Sequence, residues 1–381
     1  MHILILTDRD WNHPETGGTG VHLTGQIDSW LAWGHHVTVI TGGYPGAPAF
    51  ERDGRLTVYR RGTRITVFPR TVLRGLARRV PEPDVTLEII NGITWLTPLW
   101  LRSPRVAVVH HVHREQYISE LGLLGRVAAA ALETLPLRLL YRHEPFIVVS
   151  EATKAELSRA HGIPADAIEV VYPGVDTVGF VPGEKTSEPS MLFLGRLKAY
   201  KRIELLLDVV ERIDGLSFDI AGDGDHGPAL EAEVERRGLT GRVHFHGHVD
   251  DATKRTLLQG AWVAATASAA EGWSSATMEA AASGTPTVAF PVGGLRESII
   301  DGRTGFHADD RDDFVAIVRR LVTDDELRER ISRQARERAC RLSWEAGAER
   351  ILGLLRRAAP DAPADPSSPP ESAPSLLGSD R

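Results

Sequence analysis

Apolar residues fall into two series of short runs, each run separated from the next by a stretch of helical character. "HILIL" at the start of the chain reads as a buried strand and "HHVTVIT" at 35–41 as another, with Val21 to Trp33 able to form a helix between them. Strand, helix and strand in that order predict a parallel sheet. "LTVYRR", "VTLEII", "RVAVVHHV" and "FIVVS" continue the series to Ser150, a helix over "EATKAELSRAHG" ends at Gly162, and "IEVVYPGVD" closes the first half. Residues 182–190, "PGEKTSEPS", have the polar composition of a linker. A second series follows: "SMLFLGR", "LSFDIAG", "VHFHGHV", "WVAATAS" and "TPTVAFP", with helices expected at 201–213, 227–237, 252–260 and 275–283. The alternation predicts an α/β fold of two doubly wound, parallel-sheet (Rossmann-like) domains, one over 1–181 and one over 190–342. Residues 358–381 are rich in Pro, Ser and Ala, and a disordered tail is expected there.

Composition narrows the class. A chain of 381 residues exceeds one ordinary core. A net charge of −7 argues against general nucleic-acid binding, which needs a basic footprint. Cys340 is the only cysteine, so no internal disulfide forms, and a reducing, cytoplasmic setting is expected. The apolar run at the N-terminus is too short for a signal peptide, and no run of eighteen apolar residues is long enough to span a membrane. Lysine occurs five times against 39 arginines, a bias attributed to codon usage. A lysine inside a motif therefore carries more weight than usual.

Five stretches carry candidate chemistry. "GDGDHG" at 222–227 matches a dinucleotide fingerprint, yet Asp223 and Asp225 would face a pyrophosphate and no acid ends the next strand. It reads better as a strand-to-helix turn. "PETGGTG" at 14–20 lies between the first strand and the first helix, where Gly17 and Gly18 would let backbone approach an anion. A flexible loop is the competing reading. "GRLKAYKR" at 195–202 sets Arg196 after a strand and Lys201 near a helix start, a pair suited to clamping a diphosphate without metal. In "VVHHVHREQY", His111 and His113 would share one face and His110 the other; no third ligand is evident for a metal, so a strand-end histidine facing an interdomain cleft is expected.

The fifth stretch is "AEGWSSATMEA", with Glu271 and Glu279 eight residues apart. A continuous helix would separate them by about 12 Å and turn them to different faces, which excludes a close carboxylate pair or a shared metal. If "GWSS" is instead a loop entering a helix near Ser275, the backbone N–H groups of Ser274, Ser275, Ala276 and Thr277 converge on one spot suited to phosphate. The glutamates then take hydroxyls on either side of it, as a nucleotide-sugar site requires. A capped surface helix is the alternative.

Taken together, "GG" after the first strand, "GHHVTVIT", "VVH", "VVS", "YPGVD", "GRL" with Lys201, "GDG", "FHGHV", the Glu271–Glu279 spacing and "GGLRESIIDGRTG" resemble the family-4 retaining glycosyltransferases of GT-B fold, over roughly Met1 to Arg357. The resemblance implies two domains facing a cleft, with a last helix over 343–357 crossing back to the first domain. It implies that Glu279 holds the ribose and Glu271 the donor sugar, that Arg196 and Lys201 neutralise the diphosphate with backbone near Gly17 and Gly18, and that backbone near Val249 meets the base. His110 would lie near the transferred sugar. The reaction implied moves a hexose from a UDP- or GDP-linked sugar to an acceptor hydroxyl with retention, without metal or other cofactor. Ser274 stands where glycine is usual, Gly20 replaces a residue that is often acidic, and Glu15 occupies a position where starch and glycogen synthases carry lysine.

Two rival readings stay open: a nucleotide-sugar epimerase of the same fold, and a catalytically silent nucleotide-sugar-binding partner. The acceptor residues are not legible, and a small natural product, a saccharide or a lipid-linked saccharide all fit as acceptor. Residues 52–79 hold nine arginines and one acid, Asp53. They read either as an anion-facing surface, for a lipid headgroup at the inner membrane face or a phosphorylated acceptor, or as a solvated face.

Overall fold

The structure, a computed structural model, describes residues 1–14 and 18–363, and these divide into two compact units, Met1–Pro173 with residues 344–363, and Gly174–Ser343. The first unit holds strands β1 (His2–Leu6), β2 (His36–Thr41), β3 (Phe50–Asp53), β4 (Leu56–Arg60), β5 (Val85–Ile90), β6 (Arg105–Val109), β7 (Phe146–Val148) and β8 (Ile168–Val170). Their order across the sheet is β3-β4-β2-β1-β5-β6-β7-β8, and only β3 runs antiparallel, against β4 at the edge. Its helices are α1 (Gly18–Ala32), α2 (Val67–Leu76), α3 (Arg114–Ala129), α4 (Leu135–Leu140) and α5 (Glu151–His161). A π turn over Ala130–Thr134 joins α3 to α4, and α3 is broken at Gly122 (φ 56°).

In the second unit β9 (Ser190–Leu194), β10 (Ser217–Ala221), β11 (Val243–Gly247), β12 (Val263–Thr266), β13 (Thr287–Ala289) and β14 (Gly305–His307) form an all-parallel sheet in the order β11-β10-β9-β12-β13-β14. Helices α6 (Glu204–Arg212), α7 (Gly227–Arg236), α8 (Asp251–Gly260), α9 (Ser275–Ala282), α10 (Leu295–Ser298), α11 (Arg311–Thr323) and α12 (Asp325–Arg341) cover it, and α13 (Trp344–Ala358) returns to the first unit, packing on α1. Both sheets are doubly wound α/β sheets. Helix starts follow local chemistry: Ser150, Asp250, Asp310 and Asp324 each accept an amide hydrogen bond at an N-terminus, and Gly162 ends α5 in the left-handed region (φ 69°).

In the first unit, alternation along the parallel strands separates two cores. Ile3 and Ile5 of β1 and Val106 and Val108 of β6 pack with α1 and α13 on one face. On the other, Leu4 and Leu6 pack with Val67 and Phe68 of α2, while Ala107 and Val109 pack with Leu137 and Tyr141 near α4.

The division between units falls between Pro173 and Gly174, upstream of the polar stretch 182–190. That stretch is strapped to the second unit, because the Lys185 Nζ donates to the carbonyl of Ala261 (2.8 Å) and to Thr285 Oγ1 (2.7 Å), and Trp262 Nε1 donates to the carbonyl of Thr186 (2.8 Å). Burial lowers the Lys185 pKa to about 8. The tail beyond residue 363 lies outside the described residues.

Candidate functional site

In the second unit the strand order reverses between β9 and β12, so the loops after these two strands flank the point where open α/β sheets hold ligands. Three hydrogen bonds tie the loops together: Arg202, in the left-handed region (φ 49°), donates to the carbonyls of Ala267 (2.8 Å) and Ser268 (3.1 Å), and the amide of Ala269 donates to the carbonyl of Tyr200 (2.7 Å). Lys201 and Glu271, one from each loop, meet as an ion pair in which Ser268 Oγ also donates to Glu271 Oε1 at 2.8 Å. Arg196 is exposed, and no carboxylate among the described residues pairs with it. "GRLKAYKR" therefore resolves into different jobs: Arg202 is a brace, Lys198 pairs with Asp225 (3.0 Å), Lys201 holds Glu271, and Arg196 faces solvent.

Glycines let neighbouring loops lie close behind this point. A Cβ at Gly222 would sit 2.0 Å from the Gly195 carbonyl oxygen, and one at Gly224 equally close to that of Leu197, so the "GDG" turn backs the Arg196 loop. It is a strand-to-helix turn between β10 and α7, as its acidic residues suggested. Gly293 and Gly294 press in the same way on the carbonyls of Glu271 and Gly272, and the Gly294 amide donates to Glu271 O at 2.8 Å.

Glu271 precedes α9 and Glu279 lies one turn inside it. Ser274 caps the helix with φ 110° and ψ 91°, and its Oγ accepts from the Thr277 amide at 3.3 Å. Of the four amides expected to converge on an anion, that of Thr277 is thus turned to the cap. Those of Ser275 and Ala276 are first-turn donors with no carbonyl available within the helix. Glu279 is buried and faces Lys254 of α8 at 3.5 Å, and Lys254 also pairs with Asp251 at 3.1 Å. Burial raises the Glu279 pKa against the opposing pull of Lys254. Val249 is half-buried in the loop after β11, on the same carboxyl edge of the sheet.

The order of the first sheet reverses between β1 and β5, and polar side chains gather after those strands. Asn91 Nδ2 donates to Asp8 Oδ1 at 2.7 Å, while Arg9 (3.0 Å) and Arg64 (3.2 Å) reach the other Asp8 oxygen. His110 follows β6, is buried, and has no hydrogen-bond partner among the described residues on either ring nitrogen; the His22 ring of α1 meets it edge-on at 6.3 Å. Burial, then the neighbouring His22, lowers the His110 pKa well below the usual range, so its imidazole is neutral at pH 7. His22 and His113 are lowered by burial to about 4. Because β6 ends at Val109, strand alternation does not govern the histidines: His111 is exposed, His113 is half-buried at the start of α3, and their rings lie 5.1 Å apart. Gly18 opens α1 and is exposed, rather than lying in a loop ahead of it, and Gly17 and Glu15 lie outside the described residues. Asp8, His22 and Asn91 escaped the sequence reading. Only the position of Asp8 and Asn91 just past strand ends could have marked them.

Two family models match consecutive parts of the chain: glycosyltransferase family 4 over residues 16–178, and glycosyl transferases group 1 over residues 176–338. An uncharacterised glycosyltransferase of Methanocaldococcus jannaschii is 27% identical, the match covering 93% of this chain and 98% of that protein. A D-inositol 3-phosphate glycosyltransferase of Xylanimonas cellulosilytica is also 27% identical, over 79% of this chain and 78% of the relative. Among solved structures, a sucrose-phosphate synthase from Thermosynechococcus elongatus shares the fold with a TM-score of 0.82 at 21% identity, covering 95% of this chain and 100% of the other.

Proposed function

Since the chain belongs to the family-4 glycosyltransferases and has their GT-B fold, we propose that it moves a hexose from a UDP- or GDP-linked donor to an acceptor hydroxyl with retention of configuration. The observation that carries this reading is the Lys201–Glu271 pair at the strand-order reversal of the second unit, with the N-terminus of α9 directly after it in the chain. Arg196 and Lys201 supply cations for the diphosphate, and the amides of Ser275 and Ala276 supply hydrogen bonds reinforced by the helix dipole. Glu279 accepts from the ribose hydroxyls, Glu271 accepts from the sugar hydroxyls, and backbone near Val249 meets the base. Diphosphate draws Lys201 off Glu271 as the sugar engages the carboxylate, so the free pair holds both groups ready.

Backbone at Gly17 and Gly18 aids the diphosphate, and the imidazole of His110 serves the transferred sugar. A neutral His110 hydrogen-bonds a hydroxyl but has no proton to release as an acid at pH 7. The leaving diphosphate is stabilised by cations and amides, and the acceptor attacks from the face it leaves.

Incubating the purified protein with single UDP- and GDP-hexoses in chelator, and following nucleotide release and anomeric configuration by NMR, tests the proposal. The expected result is slow release of nucleoside diphosphate and an unaltered sugar with retained configuration. Release of an altered free sugar would favour an epimerase. Tight donor binding with no turnover would mark a silent partner.

A further inference from the structure

Ten of the fifteen large apolar side chains that are exposed among the described residues lie between Ile65 and Leu139, all in the first unit. Continuous register places them together. Leu6 of β1 pairs with Glu88 of β5, and Glu88 with Ala107 of β6, so α2, over Leu4 and Leu6, and α4, over Ala107 and Val109, cover the same face of the sheet. Direct contacts join them through the residues around 95–101. Gly75 of α2 lies so close to the Trp100 ring that a Cβ would clash at 2.0 Å, and the Thr97 amide donates to Tyr141 Oη at 3.0 Å just beyond α4.

The outer surface of this face has an unusual composition. Along 123–139, Gly125, Ala129, Glu133, Pro136 and Leu137 point inward, while Leu123, Leu124, Val127, Leu132, Leu135 and Leu139 are exposed, three of them by more than 70%. Only Arg126 and Arg138 interrupt the apolar positions, and no exposed carboxylate does. On α2, Leu73 and Leu76 are exposed beside Arg70 and Arg74, with Arg78 and Arg79 following and no acid in the helix. No carboxylate among the described residues pairs with Arg74, Arg78, Arg79 or Arg126. Not all of the arginines in 52–79 belong to this surface. Arg60 is buried against Asp10 (2.6 Å) and Glu51 (2.8 Å), and Arg64 serves Asp8.

We propose that the face formed by α2 and the helical run 123–140 docks on an anionic lipid bilayer. A row of leucines on the crest of two helices, rimmed by unpaired arginines in a protein of net charge −7, complements a surface that is negative outside and apolar beneath. A partner protein surface of ordinary composition would leave those guanidinium groups unanswered, and contiguous exposed apolar area of this kind marks an interaction surface. The helices would lie in the interface; no helix among the described residues is long and apolar enough to cross a membrane.

Sedimentation of the full chain with phosphatidylglycerol vesicles, against phosphatidylcholine vesicles, tests the proposal. Binding is expected to the anionic vesicles alone, weakening as salt rises to about 0.5 M. Arg74→Glu with Arg79→Glu is expected to weaken it about 30-fold or more, from roughly 1 kcal/mol per lost arginine. Leu123→Gln with Leu139→Gln, on the other helical run, is expected to weaken it about tenfold or more. Both pairs are exposed, so both variants should keep the wild-type melting temperature. Absence of binding, equal binding to both vesicle types, or an effect of only one pair would overturn the common lipid-facing surface. So would a dimer that the leucine variant turns to monomer in a protein that ignores vesicles, since the face would then belong to a second copy.

Discussion

Ser274 has φ 110°, a backbone conformation that glycine adopts freely and a side chain resists. The serine keeps this turn because its Oγ caps α9, so one residue both strains and secures the entrance to the helix. Ser274→Ala loses the cap and keeps the strain, a cost of about 1 kcal/mol. Ser274→Gly also loses the hydroxyl but sheds strain worth roughly 1–3 kcal/mol. Thermal melts should therefore place the glycine variant above the alanine variant, and the reverse order would show that the turn is unstrained. At this scale the sequence marks candidate residues and is silent about their partners. The spacing of Glu271 and Glu279 and the scarcity of lysine singled out two stretches that the fold brings together at the Lys201–Glu271 pair. Lys254 beside Glu279 and Ser268 beside Glu271 come from geometry: Lys254 stands on a separate helix, and Ser268 is brought round by a loop turn.

Helix packing supplies a sharper test of the fold than any single strand. Gly25 on α1 faces the Trp344 ring of α13, and a Cβ there would lie 2.4 Å from ring carbons. Gly25→Ala gains helix propensity of about 1 kcal/mol, yet overpacking against an indole held between helices costs about 1–3 kcal/mol and should win. Adding Trp344→Leu should recover much of the loss, which a double-mutant cycle in urea measures. Additive effects would contradict the close approach of α1 and α13. Most strands were legible because parallel strands buried on both faces read as unbroken apolar runs, as in "HILIL" and "VTLEII". β14, three residues opened by a glycine, gave no such run, and β3 is an exposed edge strand of mixed polarity. The helical run 123–140 was missed for another reason. Its inner face mixes small residues with Pro136, Leu137 and the buried Glu133, while its outer face carries six large apolar residues, so the apolar-in, polar-out periodicity that marks an ordinary surface helix is missing.

Over the whole molecule, buried titrating groups predict acid sensitivity. His22, His110 and His113 are held neutral by burial, with folded pKa values below the unfolded value near 6.5. As pH falls through that value the unfolded chain takes up protons that the fold refuses, and stability drops toward pH 4. Glu88 works in the opposite sense. Burial among Thr97 and Tyr141 raises it to about 7, so its contribution is complete below about 4.5 and fades as pH rises through 7, and Glu279 shifts the same way. Three histidines outweigh two carboxyls, so urea stability should fall between pH 7 and 5, with a shallower slope in His22→Asn. Constant or rising stability would contradict the neutral histidine cluster. In the second unit, Glu279 is proposed to serve the nucleotide and Glu271 the sugar. Calorimetry with free UDP and GDP, beside kinetics with the complete donor, compares Glu279→Ala with Glu271→Ala. Loss of the ribose acceptor should weaken nucleoside diphosphate binding about ten- to a hundred-fold in Glu279→Ala. Glu271→Ala, which frees Lys201 for the diphosphate, should bind the nucleotide at least as well as wild type and lose turnover with the full donor. Equal losses of nucleotide affinity in the two variants would contradict the account.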